Sequence, residues 1–199
     1  MKIKNLFLTA MIIVALGSFN SAYANTTKDE AFTILEDVGA INSIEVHGNV
    51  QLFITDAPAD VIKVYNKYYA ESALIQNKNG VLRISSYKDE KLVIWVKANG
   101  LRSVSMFDNS QIISFGTLSK IEFSVELHDN AQAKLTLDAY KLTLLVKNNA
   151  KAEINGAAEE LNLNREVEQN VTRNNLAVIH LYENKSIAVA GAAKQITAI

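Results

Sequence analysis

The sequence contains no cysteine, one proline and one tryptophan among its 199 residues. Without cysteine there can be no disulfide and no lipid-modified cysteine, and thiolate catalysis and cysteine-ligated zinc are excluded. Stability must therefore come from packing and hydrogen bonds alone. Neither sign of charge dominates, because 20 basic residues stand against 21 acidic ones and the net charge is −1. This balance argues against nucleic-acid binding, which requires a concentrated basic surface.

Long apolar runs are missing except near the N-terminus, where Lys2 and Lys4 precede the run from Leu6 to Leu16. Ala22-Tyr23-Ala24 then supplies the small residues that a signal peptidase recognises. Together these features predict a signal peptide over residues 1–24. Its removal would take away two lysines and change the net charge from −1 to −3.

After cleavage, we expect a flexible polar leader over residues 25–31 and a single folded domain over residues 32–199. No later stretch approaches the roughly 20 apolar residues that a membrane-spanning helix needs. The sequence therefore predicts an exported protein that is not an integral membrane protein and carries no lipid anchor. Its location would be the periplasm, the outer cell surface or the medium.

One phrase recurs, in which apolar and polar residues alternate and are followed by Asp or Asn, a second Asn and a small residue. It occurs three times closely and a fourth time loosely, at Val104–Ile112, Val125–Ala133, Leu144–Ala152 and Ile179–Ile187. In the first three copies the shared Asn residues are 21 and 19 residues apart. Regular spacing of this kind indicates stacked structural units rather than catalytic motifs.

Alternation within each copy has the period of a β-strand, so one side of each strand is apolar. We predict an all-β fold, a right-handed parallel β-helix (β-solenoid) built from repeats of about 20 residues. Val104, Val125 and Leu144 would then form one buried column. The N-terminal half is predicted to add a short helix at Tyr68–Leu74 and a hairpin around Asn79-Gly80. The alternatives are an antiparallel meander or sandwich, whose turns usually come about every 8 to 12 residues, and an irregular α+β fold.

The recurring Asn side chains are predicted to form a structural column at the turns: Asn109, Asn130, Asn149 and Asn184. Asn tolerates left-handed backbone angles, and its amide can bond to the same residue in the next unit. Arg165 interrupts the pattern, because it stands where the other copies have an apolar residue. We expect a bulging loop or a water-facing unit at that point.

Proteins with a parallel β-helix include polysaccharide lyases and hydrolases, which need clustered carboxylates on an open face. The candidates here are Glu122, Glu126 and Asp129, with His128 nearby. Strand alternation alone explains their outward positions, and the next copy has no matching acidic residues. We therefore predict no catalytic residues.

Metal and cofactor sites are not predicted either. The histidines lie in separate units without the spacing of zinc ligands: His47, His128 and His180. Acidic residues share one turn position with an Asn and could suggest calcium: Asp108, Asp129, Asn148 and Glu183. The glycine-rich repeat that builds calcium sites in such turns is missing, so we interpret these residues as structural.

Tyr65, Tyr68 and Tyr69 form the densest aromatic cluster, and Tyr87 and Trp95 follow along the chain. Aromatic rings stack on sugars and anchor protein interfaces, so the three tyrosines are a candidate binding surface. The alternative is that they pack in the core beside the hairpin.

The order of strands and turns in the N-terminal half resembles a known family. The segments concerned are Ile41–Gly48, Asn79–Ile84 and Ile94–Leu101. They look like those of the DUF2807 proteins of Bacteroidetes-type bacteria, also called head GIN domain or putative auto-transporter adhesins, over about Phe32 to Gly191. The resemblance implies an exported protein with right-handed parallel β-helix character and no assigned activity. At the turns, Asp-Asn-Ser and Asp-Asn-Ala stand where the family often has Gly-Ser-Gly.

These features predict an exported, non-enzymatic surface or periplasmic binding protein of adhesin type, whose ligand is a glycan or a cell-surface protein. One alternative is a carbohydrate-active enzyme, a polysaccharide lyase or hydrolase, on the same scaffold. Another is an envelope protein that self-associates through uncovered solenoid ends. A cleft holding two carboxylates would favour the enzyme over the binding protein.

Overall fold

The computed structural model describes residues 32–35, 38–65 and 73–185. Its strands, in chain order, are β1 (Thr33–Leu35), β2 (Ser43–Gly48), β3 (Val50–Asp56), β4 (Val61–Tyr65), β5 (Ala73–Lys78), β6 (Val81–Ser86), β7 (Leu92–Ala98), β8 (Ser103–Met106), β9 (Gln111–Ser114), β10 (Leu118–Leu127), β11 (Gln132–Val146), β12 (Lys151–Arg165), β13 (Val171–Thr172) and β14 (Leu176–Lys185). A single 3-10 turn, Glu168–Asn170, precedes β13. The described residues contain no α-helix.

The prediction of a right-handed parallel β-helix is wrong. The strands form one curled, half-barrel-like sheet of mixed orientation, in the order β1-β4-β7-β3-β9-β11-β10-β8-β2-β6-β5, with β12, β13 and β14 joined through β11. β4 pairs antiparallel with β1 and β7, and β5 pairs antiparallel with β6. In addition, β6 and β7 lie outside the earlier strands β2 and β3, so the units do not follow chain order as those of a solenoid would.

The antiparallel pair of β5 and β6 has an identifiable local cause. Asn79 and Gly80 both have positive φ, 54° and 79°, which is the geometry of a two-residue hairpin turn whose twist matches the strands. The predicted hairpin is therefore confirmed, as β5 and β6. Ala73 and Leu74 begin strand β5, contrary to the predicted short helix at Tyr68–Leu74. The rest of that helix falls in residues 66–72, outside the described residues.

Strands β8, β10, β11 and β12 pair in parallel, and here the predicted columns are confirmed. Val104 aligns with Val125 and Val125 with Leu144. Met106, Leu127 and Val146 form the next column in the same way. The spacing of about 20 residues thus describes the parallel part of the sheet. It does not describe the architecture of the chain.

Inward side chains of every major strand meet in one core, and most of them are aliphatic. Those at 0% exposure include Ile44, Val46, Leu52, Ile94, Leu135 and Leu161. Burying a side chain of this size stabilises the fold by roughly 1.5 to 3 kcal/mol relative to leaving it exposed. Alternation thus fixes which side of each strand faces inward, and the other side is left to solvent.

Arg165 does not face water as expected. It aligns with Val146 in the parallel register and is only 7% exposed. Its guanidinium binds the Glu183 carboxylate at 2.7 and 2.9 Å and donates to the Glu168 carbonyl at 3.0 Å. A buried charge is tolerated where it is paired in this way. The apolar column therefore ends in an ion pair, and the polar segment after it forms the 3-10 turn.

Among the residues that the structure describes, no helix is both long enough and apolar enough to cross a membrane.

Candidate binding face

Seven neighbouring strands, β4, β7, β3, β9, β11, β12 and β13, share one outward surface, which we call the binding face. At about 4.8 Å between strands it extends roughly 29 Å across the sheet. Its first half carries large rings: Phe53, Tyr65, Trp95 and Phe115. Its second half carries polar side chains: Gln111, Gln132, Lys134, Lys151, Glu153 and Thr172. We call these the aromatic half and the polar half.

Trp95 lies at the centre of the aromatic half because strand pairing sets it between Lys63 on β4 and Phe53 on β3. The Trp95 and Phe53 rings stack with centroids 4.7 Å apart and planes 20° apart. Phe115, just after β9, packs against Trp95 at 5.5 Å with a tilt of 59°. These separations lie in the range of favourable aromatic pairs.

A second ring pair borders this group. The Phe32 and Tyr65 centroids are 5.5 Å apart, and the Lys63 ammonium lies 5.2 Å from the Phe32 centroid. Tyr65, Trp95 and Phe115 line a cavity of about 430 Å³ together with polar neighbours such as Thr55 and Lys97.

The rings are accessible although they contact one another. Phe115 is 64% exposed and Phe32 is 49% exposed, while Trp95 and Phe53 are half-buried. Solvent-facing sheet positions are usually polar, and a contiguous apolar cluster on a surface marks a binding site more often than chance. The aromatic half is therefore the strongest candidate site in the described part of the chain.

The polar half continues the same surface. Gln111 accepts a hydrogen bond from Lys91 at 3.1 Å and donates one to Gln132 at 3.4 Å. Lys134 and Glu153 form an ion pair at 3.3 Å. A cavity of about 350 Å³ is lined by Gln111, Gln132, Lys134 and Glu153. Gln169 and Asn170 of the 3-10 turn also contribute to it. Amide, ammonium and carboxylate groups thus stand in one row beside the rings.

Residues 40–196 match the family model described as "Putative auto-transporter adhesin, head GIN domain", DUF2807. The match spans most of the chain. The chain belongs to the DUF2807 family. The predicted resemblance to this family is confirmed. No curated protein matches the chain.

Several solved structures of other proteins are similar in fold to this chain. A putative adhesin from Bacteroides fragilis matches with a TM-score of 0.67 and 14% identity, covering 77% of this chain and 74% of that one. A putative adhesin from Parabacteroides distasonis matches with a TM-score of 0.62 and 18% identity, covering 78% of each chain. A putative lipid binding protein from the same organism matches with a TM-score of 0.56 and 9% identity, again over 78% of each. At these identities the likeness concerns the fold alone.

Of the predicted tyrosines in this DUF2807 chain, Tyr65 lies in the aromatic half, whereas Tyr68 and Tyr69 fall outside the described residues. Tyr87 is 74% exposed, lies in the loop after β6 and lines neither cavity of the binding face. Phe53 and Phe115 also belong to the aromatic half, although neither lies in a dense aromatic cluster along the sequence. A usable signal was present for Phe53, because it occupies the outward phase between the buried Leu52 and Ile54.

Three of the four predicted turn residues come together. Asn130 donates to Asn109 at 3.2 Å, and Asn149 donates to Asn130 at 3.5 Å, and all three are exposed. Asn184 does not join them, since it lies within β14 opposite Asn164.

A second ladder runs beside the Asn column, at the residues with left-handed backbone. Asp108, Asp129 and Asn148 have φ of 58°, 57° and 56°. Each accepts a backbone N–H of the preceding unit: Asp108 from Gly48 at 2.8 Å, Asp129 from Asp108 at 3.2 Å and Asn148 from Asp129 at 3.1 Å. Glu166 accepts from Asn148 at 2.8 Å and ends the series. These oxygens bind backbone, which is a structural role.

The carboxylates considered for catalysis do not line either cavity of the binding face. Asp129 is engaged in the backbone ladder, and Glu126 lies 3.9 Å from His128. Glu122 lies on β10 opposite Lys141.

The three histidines also lie outside the two cavities of the binding face. His47 and His128 stack on the two sides of Phe107, with centroids 4.5 and 4.7 Å away, and His47 contacts Glu45 at 2.9 Å. His180 lies on β14 opposite Glu160. Within residues 32–35, 38–65 and 73–185, no three His, Cys, Asp or Glu side chains are placed to hold a metal ion.

Proposed function

We propose that this DUF2807 protein is an exported, non-enzymatic binding protein of adhesin type, and that its binding face holds a carbohydrate. The observation that carries the proposal is the accessible ring cluster of Trp95, Phe53 and Phe115 on the solvent side of the sheet. Family membership supports the coarser part, binding to a surface partner, because the family is described as adhesins.

The chemistry of the face supports a sugar more than a purely apolar ligand. An aromatic ring can stack on the apolar face of a sugar, while hydroxyl groups at the edge of the sugar need hydrogen-bond partners. Gln111, Gln132 and Lys134 supply such partners beside the rings. Pockets that combine apolar walls with a few polar groups are typical of small-ligand sites.

An extended ligand fits better than a single sugar. The two cavities open on one surface, and Ile113 on β9, opposite Phe53, lies where the rings meet the polar half. A chain of sugars could therefore stack on Trp95 and continue across β11 and β12.

The protein contains one tryptophan, so its fluorescence reports directly on this face. We expect the Trp95 emission of the full chain to change on titration with polysaccharides such as dextran, xylan or methyl-esterified polygalacturonate. Phe115→Ala should lower the affinity for the polymer by about tenfold, because it removes one of the stacking rings. The fold should stay intact, because the Phe115 side chain is exposed. Trp95→Ala should weaken it by at least about 30-fold, measured by affinity electrophoresis in polymer-containing gels.

Tyr140→Ala is the matched control, since Tyr140 is 52% exposed but lies outside the binding face. Equal affinity of Phe115→Ala, Tyr140→Ala and the unsubstituted protein would refute the proposed site. Binding to phosphatidylcholine vesicles without binding to any polymer would point instead to a lipid ligand, in line with the lipid-binding name of one structural neighbour.

Export is tested separately. N-terminal sequencing of protein from fractionated cells should begin at Asn25, because Ala22-Tyr23-Ala24 has the small residues of a cleavage site. Recovery of the protein in the cytoplasm with Met1 retained would contradict this part of the proposal.

The carbohydrate-active enzyme remains as the competing function. On a panel of polysaccharides we expect no depolymerisation, since Glu122, Glu126 and Asp129 do not face the two cavities. Depolymerisation that Glu126→Gln abolishes would favour the enzyme instead.

A further inference from the structure

Positive charge is concentrated on the binding face. Lys63 stands directly beside Trp95 in the antiparallel register, and Lys97 follows Trp95 by two residues on the same side of β7. Lys151 lies on β12 opposite Gln132, in the polar half. Because the whole chain has a net charge of −1, this concentration is not a consequence of composition.

The acidic side chains near this face already have partners. Asp56, at the edge of the aromatic half, binds the Lys120 ammonium at 2.5 Å and accepts the Ser119 N–H at 2.7 Å. Glu153 pairs with Lys134 at 3.3 Å. No described carboxylate forms an ion pair with Lys63, Lys97 or Lys151. Within the described residues, the ammonium groups of Lys63 and Lys97 beside Trp95 therefore have no carboxylate partner.

We propose that the ligand of the binding face is an anionic polysaccharide, one that carries carboxylate or sulfate groups, an inference that rests on the proposed function. A sugar stacked on Trp95 would hold its substituents at the ring edge, near Lys63 across the strand pair and Lys97 further along β7. The lysine ammonium is a flexible point charge that donates hydrogen bonds to an anionic oxygen without demanding bidentate geometry. It therefore suits carboxylates and sulfates whose positions vary along a polymer.

The test compares polymers that differ in charge alone: polygalacturonate with its methyl ester, and dextran sulfate with dextran. We expect the full chain to bind each charged polymer about tenfold more tightly than its neutral counterpart, from two partly exposed ion pairs. The preference should shrink as sodium chloride is raised, because salt screens exposed charges. Trp95 fluorescence and affinity electrophoresis provide the measurements.

The double variant Lys63→Gln/Lys97→Gln should lose this preference, so that the ratio of its affinities for a charged polymer and the neutral counterpart falls to about one. Lys141→Gln is the control, since Lys141 lies on another face, beside Glu122 and Glu160. The same affinity for charged and neutral polymers in the unsubstituted protein would overturn the inference while leaving the proposed function standing.

Three further results would count against the inference or against the proposed function. Loss of both charged and neutral binding in the double variant would mean that the lysines do not act through charge, which contradicts the inference. Binding to vesicles of phosphatidylcholine and phosphatidylserine without binding to any polymer would assign the lysines to lipid headgroups and overturn both proposals. If Phe115→Ala leaves every affinity unchanged, the proposed function itself is refuted.

Discussion

Two outer faces of this sheet rest on one core and carry different side chains. The binding face presents rings and lysines. The second face, formed by outward residues of β2, β8, β10, β11 and β12, presents a column of small polar residues: Ser43, Ser103, Ser124, Thr143 and Asn162. We call it the hydroxyl face. Strands β11 and β12 contribute to both faces, each with a different stretch of the same strand.

The difference separates the demands of folding from those of binding. Both faces alternate with buried aliphatic residues, so the inward phase meets the same packing requirement in each. The outward phase is free of that requirement. On the hydroxyl face one of its columns is filled by small groups that water solvates, with a direct contact between Ser43 and Ser103 at 2.8 Å, and another carries the stack of His47, Phe107 and His128. The exposed rings of the binding face bury less surface than the inward aliphatic residues do, which is why we propose a ligand for them.

The largest effect should come from the core that both faces share. Leu144 is 1% exposed and lies between Val125 and Leu163 in the parallel register. Leu144→Ala should lower the free energy of unfolding by about 2 to 5 kcal/mol, because it removes buried surface and leaves a cavity. Urea denaturation measures this. If Leu144→Ala lowers the free energy of unfolding by less than the outward substitutions do, the division into inward and outward positions is wrong.

The corner that joins the two faces should come next. Asp129 has left-handed backbone and accepts the Asp108 N–H at 3.2 Å. Asp129→Ala should cost about 1 to 2 kcal/mol, since alanine disfavours that backbone and supplies no acceptor. Asp129→Asn is the control and should cost less than about 0.5 kcal/mol, because Asn148 fills the same role in the next unit. Equal losses in the two variants would show that the negative charge matters instead of the acceptor.

A smaller effect is expected for the Asn column at the same corner. Asn130 has an amide neighbour on each side, but the contacts are exposed and the one with Asn149 is long at 3.5 Å. Asn130→Ala should therefore cost about 0.5 to 1 kcal/mol, below the range for buried groups. Asn149→Ala should cost less, as it loses one neighbour. If urea midpoints of Asn130→Ala and Ser124→Ala coincide, the column reflects only a turn preference.

The smallest effect should be on the hydroxyl face. Ser103→Ala should change the free energy of unfolding by less than about 0.5 kcal/mol, since Ser103 and its partner Ser43 are both reached by water. Polymer binding should be unchanged. Phe115→Ala should be equally mild in stability and yet weaken binding. A binding defect in Ser103→Ala would erase the distinction between the faces.

Much of the local structure could be predicted from the sequence. The columns of Val104, Val125 and Leu144 align as expected, and Asn79-Gly80 forms the expected hairpin. Among site residues, Tyr65 was identified, but the centre of the aromatic half was not. Trp95 and Phe53 lie 42 residues apart along the chain and meet only because β7 pairs with β3.

The sequence by itself determined which side chains turn inward, where the chain bends and which family the chain belongs to, because alternation and turn chemistry act between near neighbours. Only the tertiary structure decided the order and direction of the strands, and with them the mixed sheet in place of a β-helix. Whether a strand pairs parallel or antiparallel depends on where a distant segment packs, as when β4 turns back against β7 and β6 lies beyond β2. Those long-range pairings also bring Lys63, Trp95 and Phe53 side by side, so the candidate site exists only in the folded sheet.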